Sequence, residues 1–573
     1  MPQTLTTPRG ETLSGTPWQV YPRPQMRRDS YINLNGEWDF AVSSGKPETF
    51  DMRITVPFCP ESRLSGIGRH FEEGAPLWYR RRFLLPEGFR RKRVLLHIGA
   101  ADQTAEVFVN GQHLCHHEGG YASFCVDITE ALAEENELVI RCTDDLHDQA
   151  FPYGKQVMNR GGMWYTPVSG IWQTVWLESV PGTYIENLNI ENHGASVTIS
   201  TVPPLEGTVS VEPLGQFPLE NGQVTIAPEN PHFWCPDDPY LYHFTLETAQ
   251  DKVESYFAIR SLEIKKVGEY PRLCLNGKPY FFHGLLDQGY WPEGLLTAPA
   301  PESYADDILA MKRLGFNTLR KHIKVEPEEF YYQCDRLGMI VWQDMVNNSS
   351  YSYFRDTVLP TIGIQKWNDR RLHLDERSRN AFRRGAADAV NQLKNHPCIC
   401  YWTIFNEGWG QFDSDRVCGW FRTLDATRFI DTTSGWFRGK NTDVDSRHQY
   451  FGKLRLEGDG LRPLVLSEFG GKTWRVEGHI FNPDKTYGYG ACPTREALNE
   501  AVAALYRESI VPAVEKGLCA AIYTQVSDVE DEVNGLITYD RRVVKLDADT
   551  MLPISRALQD AMEKTVASFE KMG

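Results

Sequence analysis

Glu407 closes the run Tyr401-Trp402-Thr403-Ile404-Phe405-Asn406, and Glu468 closes Leu464-Val465-Leu466-Ser467. Both runs are short and apolar, the first rich in aromatic and β-branched side chains, as expected of buried strands. A carboxylate where such a strand emerges is either a satisfied polar cap or a reactive group at the mouth of a sheet or barrel. Two of them facing one another could cleave a glycosidic bond. One carboxyl would protonate the leaving oxygen, and the other would stabilise or attack the anomeric carbon. What matters is whether the chain brings the two strand ends together.

From about residue 265 strands and helices alternate. Tyr280–His283 reads as a strand, Glu302–Leu314 as a helix closed by Gly315, Thr318–His322 as a strand, Pro327–Leu337 as a helix closed by Gly338, and Met339–Gln343 as a strand. A helical pattern over Leu374–Lys394 leads into Cys398–Asn406. Further strands fall near Ile430–Thr433, His448–Phe451, Leu464–Glu468 and Leu518–Gln525, and Ala557–Lys571 reads as a terminal helix. This alternation calls for parallel strands, and eight of them make a (β/α)8 barrel. Chemistry in such a barrel sits at the C-terminal strand ends. The fourth and seventh strands lie nearly opposite, which sets Glu407 against Glu468 across the mouth. Trp291, Trp409, Trp436, Trp474 and Tyr523 fall in or near strand-end loops, where they either stack on a sugar or pack the barrel.

The residues before the barrel read as short strands broken by turns, with Asn110-Gly111 after Val109 as a strong hairpin signal. Three domains are expected: a β-sandwich over 1–183, a smaller immunoglobulin-like sandwich over 184–264, and the barrel over 265–573. A net charge of −16 argues against a nucleic-acid backbone or an anionic membrane as the main partner. The twelve cysteines have no paired spacing, and Cys398 and Cys400 sit inside an apolar run, so reduced thiols and a cytoplasmic setting are expected. The N-terminus lacks the apolar core of a signal peptide, and no stretch reaches the ~20 apolar residues of a membrane span, so the reading is a soluble protein.

Several motifs recur in a recognisable order: Leu34-Asn35-Gly36-Glu37-Trp38, Val107-Phe108-Val109-Asn110-Gly111, Ser169-Gly170-Ile171-Trp172-Gln173, Asn406-Glu407, Ser467-Glu468-Phe469-Gly470 and Asp528-Val529-Glu530-Asp531-Glu532. Together they resemble glycoside hydrolase family 2, the group of the β-galactosidases, β-glucuronidases and β-mannosidases, over nearly the whole chain. The resemblance implies a multidomain β plus α/β fold: a jelly-roll-like sugar-binding β-sandwich, an immunoglobulin-like β-sandwich and a C-terminal (β/α)8 TIM barrel. It also implies an exo-acting retaining glycosidase of carbohydrate metabolism, with Glu407 as acid/base and Glu468 as nucleophile. Asn406 then matches the residue that binds the sugar 2-hydroxyl, Tyr450 the tyrosine that hydrogen-bonds the nucleophile, and His322 a histidine lining the sugar site. Asp344, ending the third strand, stands behind them. The acid has to stay protonated near neutral pH, with Trp402 or Trp409 as its apolar neighbours. The loop Asn159–Tyr165 is expected to reach toward the barrel. No cofactor is implied and no compact ligand cluster compels a metal. The expected partner is a small-molecule glycoside or oligosaccharide, and a homo-oligomer is left open.

Charge bears on which sugar. A uronic acid carries a carboxylate that needs Lys or Arg donors. Family β-glucuronidases carry Asn-x-Lys before the last stretch of the barrel, whereas Glu532-Val533-Asn534-Gly535-Leu536 has no such lysine. Trp436-Phe437-Arg438-Gly439-Lys440-Asn441 offers Arg438 and Lys440 as an alternative clamp, with Lys321 and Lys324 beside His322. A β-glucuronide is the favoured substrate, with a β-galactoside next and other β- or α-L-configured glycosides behind. A non-catalytic glycan-binding protein on the same scaffold is the reading from a different class, and the retained pair Glu407 and Glu468 argues against it.

Overall fold

The computed structural model describes residues 2–359, 364, 368–436 and 439–570. Its N-terminal part is a sandwich of two antiparallel sheets. Tyr31–Asn33, Val175–Val180, Arg93–Ile98 and Phe124–Asp127 form one, and six strands centred on Leu77–Phe83 and Asn136–Thr143 form the other. Strand Thr104–Val109 turns Ala105, Val107 and Val109 into the core between them, the period-two burial of a sheet face. At the turn to Gln112–Glu118, Asn110 and Gly111 have φ of 49° and 81°, the double positive value that an Asn-Gly hairpin supplies. The run Tyr31–Phe40 forms two strands. The chain breaks before Gly36 (φ 103°), and Gly36–Val42 pairs in the opposite sheet from Tyr31–Asn33.

A second, smaller sandwich follows, with three strands (Asn187–Asn192, Val197–Val202, Gln223–Ile226) facing four (Gly215–Leu219, Gly207–Val211, Tyr242–Thr248, Lys252–Phe257). Arg28 ties the two sandwiches together. Its guanidinium bonds Glu178 of the first at 3.0 Å and Asp251 of the second at 2.7 Å, and all three side chains are almost wholly buried. A small sheet that the sequence did not announce, Leu262–Val267 with Tyr270–Leu275 and Lys278–Pro279, leads into the barrel. Buried Arg272 from it donates to the Leu518 carbonyl, where the last barrel strand begins.

The barrel strands are β1 (Phe282–Asp287), β2 (Thr318–Lys321), β3 (Ile340–Asp344), β4 (Ile399–Asn406), β5 (Phe429–Ser434), β6 (Asp445–Gln449), β7 (Leu464–Gly470) and β8 (Leu518–Thr524). They pair in parallel in the order β5-β4-β3-β2-β1-β8-β7-β6, a nearly closed ring in which β4 and β7 stand far apart. Helices such as Glu376–Leu393 cover the outside. That helix buries Phe382, Ala386, Ala389, Val390 and Leu393 at helical spacing, and Asp375 caps its first turn. The last helix begins at Ala548 rather than Ala557. Pro553 lies inside it, and the packing of Met551, Ile554 and Leu558 carries the helix through. Among the described residues no helix is long and apolar enough to cross a membrane.

Candidate active site

Strand β4 ends because the chain turns left-handed, with φ of 50° at Glu407 and 80° at Gly408. The Glu407 amide donates to the Ser434 carbonyl at the end of β5 and the Trp409 amide to that of Asn406, each at 2.8 Å. A non-glycine residue in this region is sparsely populated, and it persists where the surroundings over-determine it. Here the turn re-aims the Glu407 side chain from the strand into the mouth. Across the ring, β7 delivers Glu468 and then turns at Gly470 (φ 85°), where a Cβ would lie 2.1 Å from the Tyr523 ring. Only glycine fits there.

Each acid then meets one histidine. His448 Nδ1 is 2.8 Å from Glu407 Oε1 and 3.5 Å from Glu468 Oε2, so these side-chain atoms lie within 4.8 Å of one another. The same three residues could hold a divalent cation, a cluster that sequence spacing did not reveal. Glu468 also accepts from Arg320 Nη1 at 3.0 Å and from Tyr450 Oη at 2.5 Å. Burial pushes its pKa up, but His448 and Arg320, with His322 and the Tyr450 bond, outweigh burial and hold it down to about 2. Tyr450 is itself pushed well above the usual phenol range, first by burial and then by Glu468, and so stays a donor.

Arg320, in the middle of β2, organises the floor. It donates to both oxygens of Asp344, to Glu468 and to Asn406 Oδ1. Asn406 is thereby oriented with its Nδ2 buried and, among the described residues, without a hydrogen-bond partner. Asp344 also accepts from His322 Nδ1 at 2.7 Å. Burial, then the positive charge of Lys155, holds the His322 pKa down at about 4, so its ring is neutral near pH 7.

The small pocket over this floor is lined by His322, Glu407, Trp409, Tyr450 and Glu468 from the barrel, by Glu532 beyond β8, and by Lys155 and Met163 from the first sandwich. The loop carrying Met163 does reach the barrel. Trp164 stacks on Trp409 with ring centroids 5.2 Å apart, Arg160 Nη1 donates to Asp531, and Tyr165 Oη donates to Glu532 at 2.6 Å. A larger cleft of about 540 Å³, lined in part by Trp18, His97 and Trp176, lies apart from the two acids.

The structure thus gathers Glu407, Glu468, Asn406, Tyr450, His322 and Asp344 in one place, and sets Trp436 beside them with its ring 5.9 Å from that of His448. Other expectations part from it. Tyr523 is wholly buried behind Gly470 and its hydroxyl accepts from the Lys472 amide, so it packs the barrel and does not face the pocket. Lys440 is exposed and away from the pocket lining, because Asp415 holds its loop by the amides of Lys440 and Asn441. Arg438 lies outside the described residues. Lys321 and Lys324 are consumed by Glu326, and Lys321 also by Asp287. Trp402 points to Asp425 rather than to Glu407. Arg320, His448, Glu532 and Lys155 were missed. An arginine inside a buried strand was a signal for the first, and nothing in the sequence marked the last.

Three family models match in succession: "Glycosyl hydrolase 2 galactose-binding domain-like" over residues 69–160, "Glycosyl hydrolases family 2" over 183–260, and "Glycosyl hydrolases family 2, TIM barrel domain" over 266–455. The chain is 24% identical over 358 residues to a β-galactosidase of Thermoanaerobacter pseudethanolicus, covering 57% of this chain and 44% of that protein. It is 22% identical over 407 residues to a β-glucuronidase of Bacteroides fragilis, covering 66% and 56%. The match therefore spans about half the length of these relatives. The fold matches an uncultured Clostridium sp. β-glucuronidase with a TM-score of 0.70 at 18% identity, covering 95% of this chain and all of that one. On these matches, with their order along the sequence, the chain belongs to glycoside hydrolase family 2.

Proposed function

We propose that the protein is an exo-acting, retaining glycoside hydrolase that removes a terminal β-linked sugar, with Glu468 as nucleophile and Glu407 as acid/base. The observation that carries this reading is the approach of the two carboxylates, with an oxygen of each within 4.8 Å at the mouth of one barrel. Retaining enzymes hold the pair about 5–5.5 Å apart, too close for an intervening water. In the first step a Glu468 oxygen attacks the anomeric carbon, the bond to the leaving oxygen breaks, and Glu407 gives that oxygen its proton. In the second, Glu407 takes a proton from water as the water oxygen bonds the anomeric carbon, and Glu468 departs as carboxylate. A Glu468 whose pKa is held down to about 2 is ionised near neutral pH, ready to attack, and leaves readily. The unpartnered Asn406 Nδ2 supports a bond to the 2-hydroxyl, and the Tyr450 bond supports orientation of the attacking carboxylate.

For the sugar we favour a β-glucuronide, in line with several relatives that are named β-glucuronidases. A neutral β-galactoside is the second reading. It is favoured by the buried Glu532 carboxylate in the pocket, which would accept from a hydroxyl and repel an acid. A reducing, cytoplasmic setting fits the twelve unpaired cysteines. The test is turnover of p-nitrophenyl β-glucuronide beside the β-galactoside, with proton NMR of the first product. An inverted product would defeat the retaining reading.

A further inference from the structure

We infer that Lys155, delivered by the first sandwich, is the cation that binds the sugar carboxylate of an acidic substrate. The inference rests on the uronate reading proposed above. An anionic sugar entering this pocket meets Glu407, Glu468 and Glu532, three carboxylates already in its lining, and needs a compensating positive charge. Among the described residues, several other cations around the pocket are already paired. Arg320 serves Asp344, Glu468 and Asn406. Lys321 and Lys324 serve Glu326. Arg160 serves Glu530 and Asp531. His322, neutral near pH 7, is held by Asp344 and supplies no charge.

Lys155 differs from all of these. It is 7% exposed and lines the pocket, yet among the described residues its ammonium has no hydrogen-bond or ion-pair acceptor. It has only the rings of Trp409 and Tyr165, with centroids 5.6 and 5.7 Å away. Ring faces compensate a buried ammonium only in part. A charge taken out of water without an acceptor is costly, and a ligand that brings the acceptor relieves that cost. The main chain at Lys155 is fixed from both sides: its carbonyl accepts from the Tyr165 amide, and the neighbouring Gly154 amide donates to the Asn347 carbonyl of the barrel. The backbone that presents the ammonium is therefore fixed before substrate arrives, and Lys155 acts as a specificity-determining residue.

The test compares p-nitrophenyl β-glucuronide with p-nitrophenyl β-glucoside, which differ only in carboxylate against hydroxymethyl. Lys155→Gln should cut kcat/KM for the glucuronide at least about 30-fold, as truncating one partner of a desolvated charge pair does. The loss on the glucoside should be at least about tenfold smaller, and Lys155→Arg should recover part of the glucuronide activity. Calorimetry gives an arm independent of turnover. Glucuronate should bind the Glu468→Gln protein, and adding Lys155→Gln should abolish that binding. Equal losses on both substrates, or glucuronide kinetics and glucuronate binding left intact in Lys155→Gln, would overturn the inference. A wild-type enzyme that cleaves neutral glycosides and neither cleaves the glucuronide nor binds glucuronate would overturn it while the glycosidase reading stands. If no glycoside is cleaved, the glycosidase reading fails, and the glucuronate binding arm still decides the role of Lys155.

Discussion

Glu468 is held ionised by the same neighbours that restrain it, and Glu407 shares one of them, His448. Glu468→Gln should lower kcat by at least about a thousandfold while the fold is kept, and azide should restore turnover to the smaller Glu468→Gly variant. More than about a tenth of wild-type kcat in Glu468→Gln would remove it from the nucleophile role. Glu407→Gln should cost poor leaving groups roughly 10²–10⁴-fold and activated nitrophenyl glycosides far less, because only the former need a proton in the first step. Comparing alkyl with nitrophenyl glycosides checks this. The pH dependence of stability has a definite sign. Glu468 is depressed from 4.5 to about 2, so its contribution is present above about 4.5 and fades as pH falls toward 2. His322 is depressed from 6.5 to about 4. The unfolded ring therefore takes up a proton that the folded ring refuses, and stability falls as pH drops from 6.5 to 4. In His322→Asn the thermal midpoint should decline less steeply over that window. An unchanged slope would contradict the assignment.

At the scale of elements, one guanidinium from β2 links β3, β4 and β7. Asp344 at the end of β3 is its main counter-charge, with the Arg320 side chain wholly buried. Asp344→Ala would leave Arg320 buried with less compensation, and about 3–5 kcal/mol of stability should be lost. Chemical denaturation measures that loss, and a midpoint within error of wild type would exclude this role. The loop from the first sandwich is the other positioning element. Trp164→Ala removes the ring stacked on Trp409 and should raise KM about tenfold with kcat within threefold, since it shapes the pocket without touching the acids.

At the scale of the whole molecule, the pocket belongs to two bodies, because Lys155 and Met163 come from the sandwich and the acids from the barrel. The sandwiches in turn are joined by the buried trio Arg28, Glu178 and Asp251. Arg28→Met strands two buried carboxylates and should cost several kcal/mol. It should also open the junction around Ile185, whose carbonyl and amide bond Arg28 and Asp251, to proteolysis. Limited proteolysis that cuts the variant no faster than wild type would argue against the junction.

The barrel was legible because strand–helix alternation and closing glycines such as Gly315 and Gly338 are local signals, and Glu407 and Glu468 were legible because a carboxylate ending an apolar run is conspicuous wherever the chain goes. The hairpin at Asn110-Gly111 was legible for the same local reason. What tertiary structure decided was direction and company. Lys440 and Lys155 are both lysines in loops, and only packing turns one to solvent and buries the other beside the acids. Tyr523 ends a strand as Glu468 nearly does, yet it packs behind Gly470. His448 gains its place by meeting Glu407 and Glu468, groups brought from separate strands. The sequence by itself determined the barrel elements and the pair of acids, because backbone pattern and residue type are local properties. The charges around that pair were decided by the fold, because a side chain's partners are set by long-range contacts that no spacing encodes.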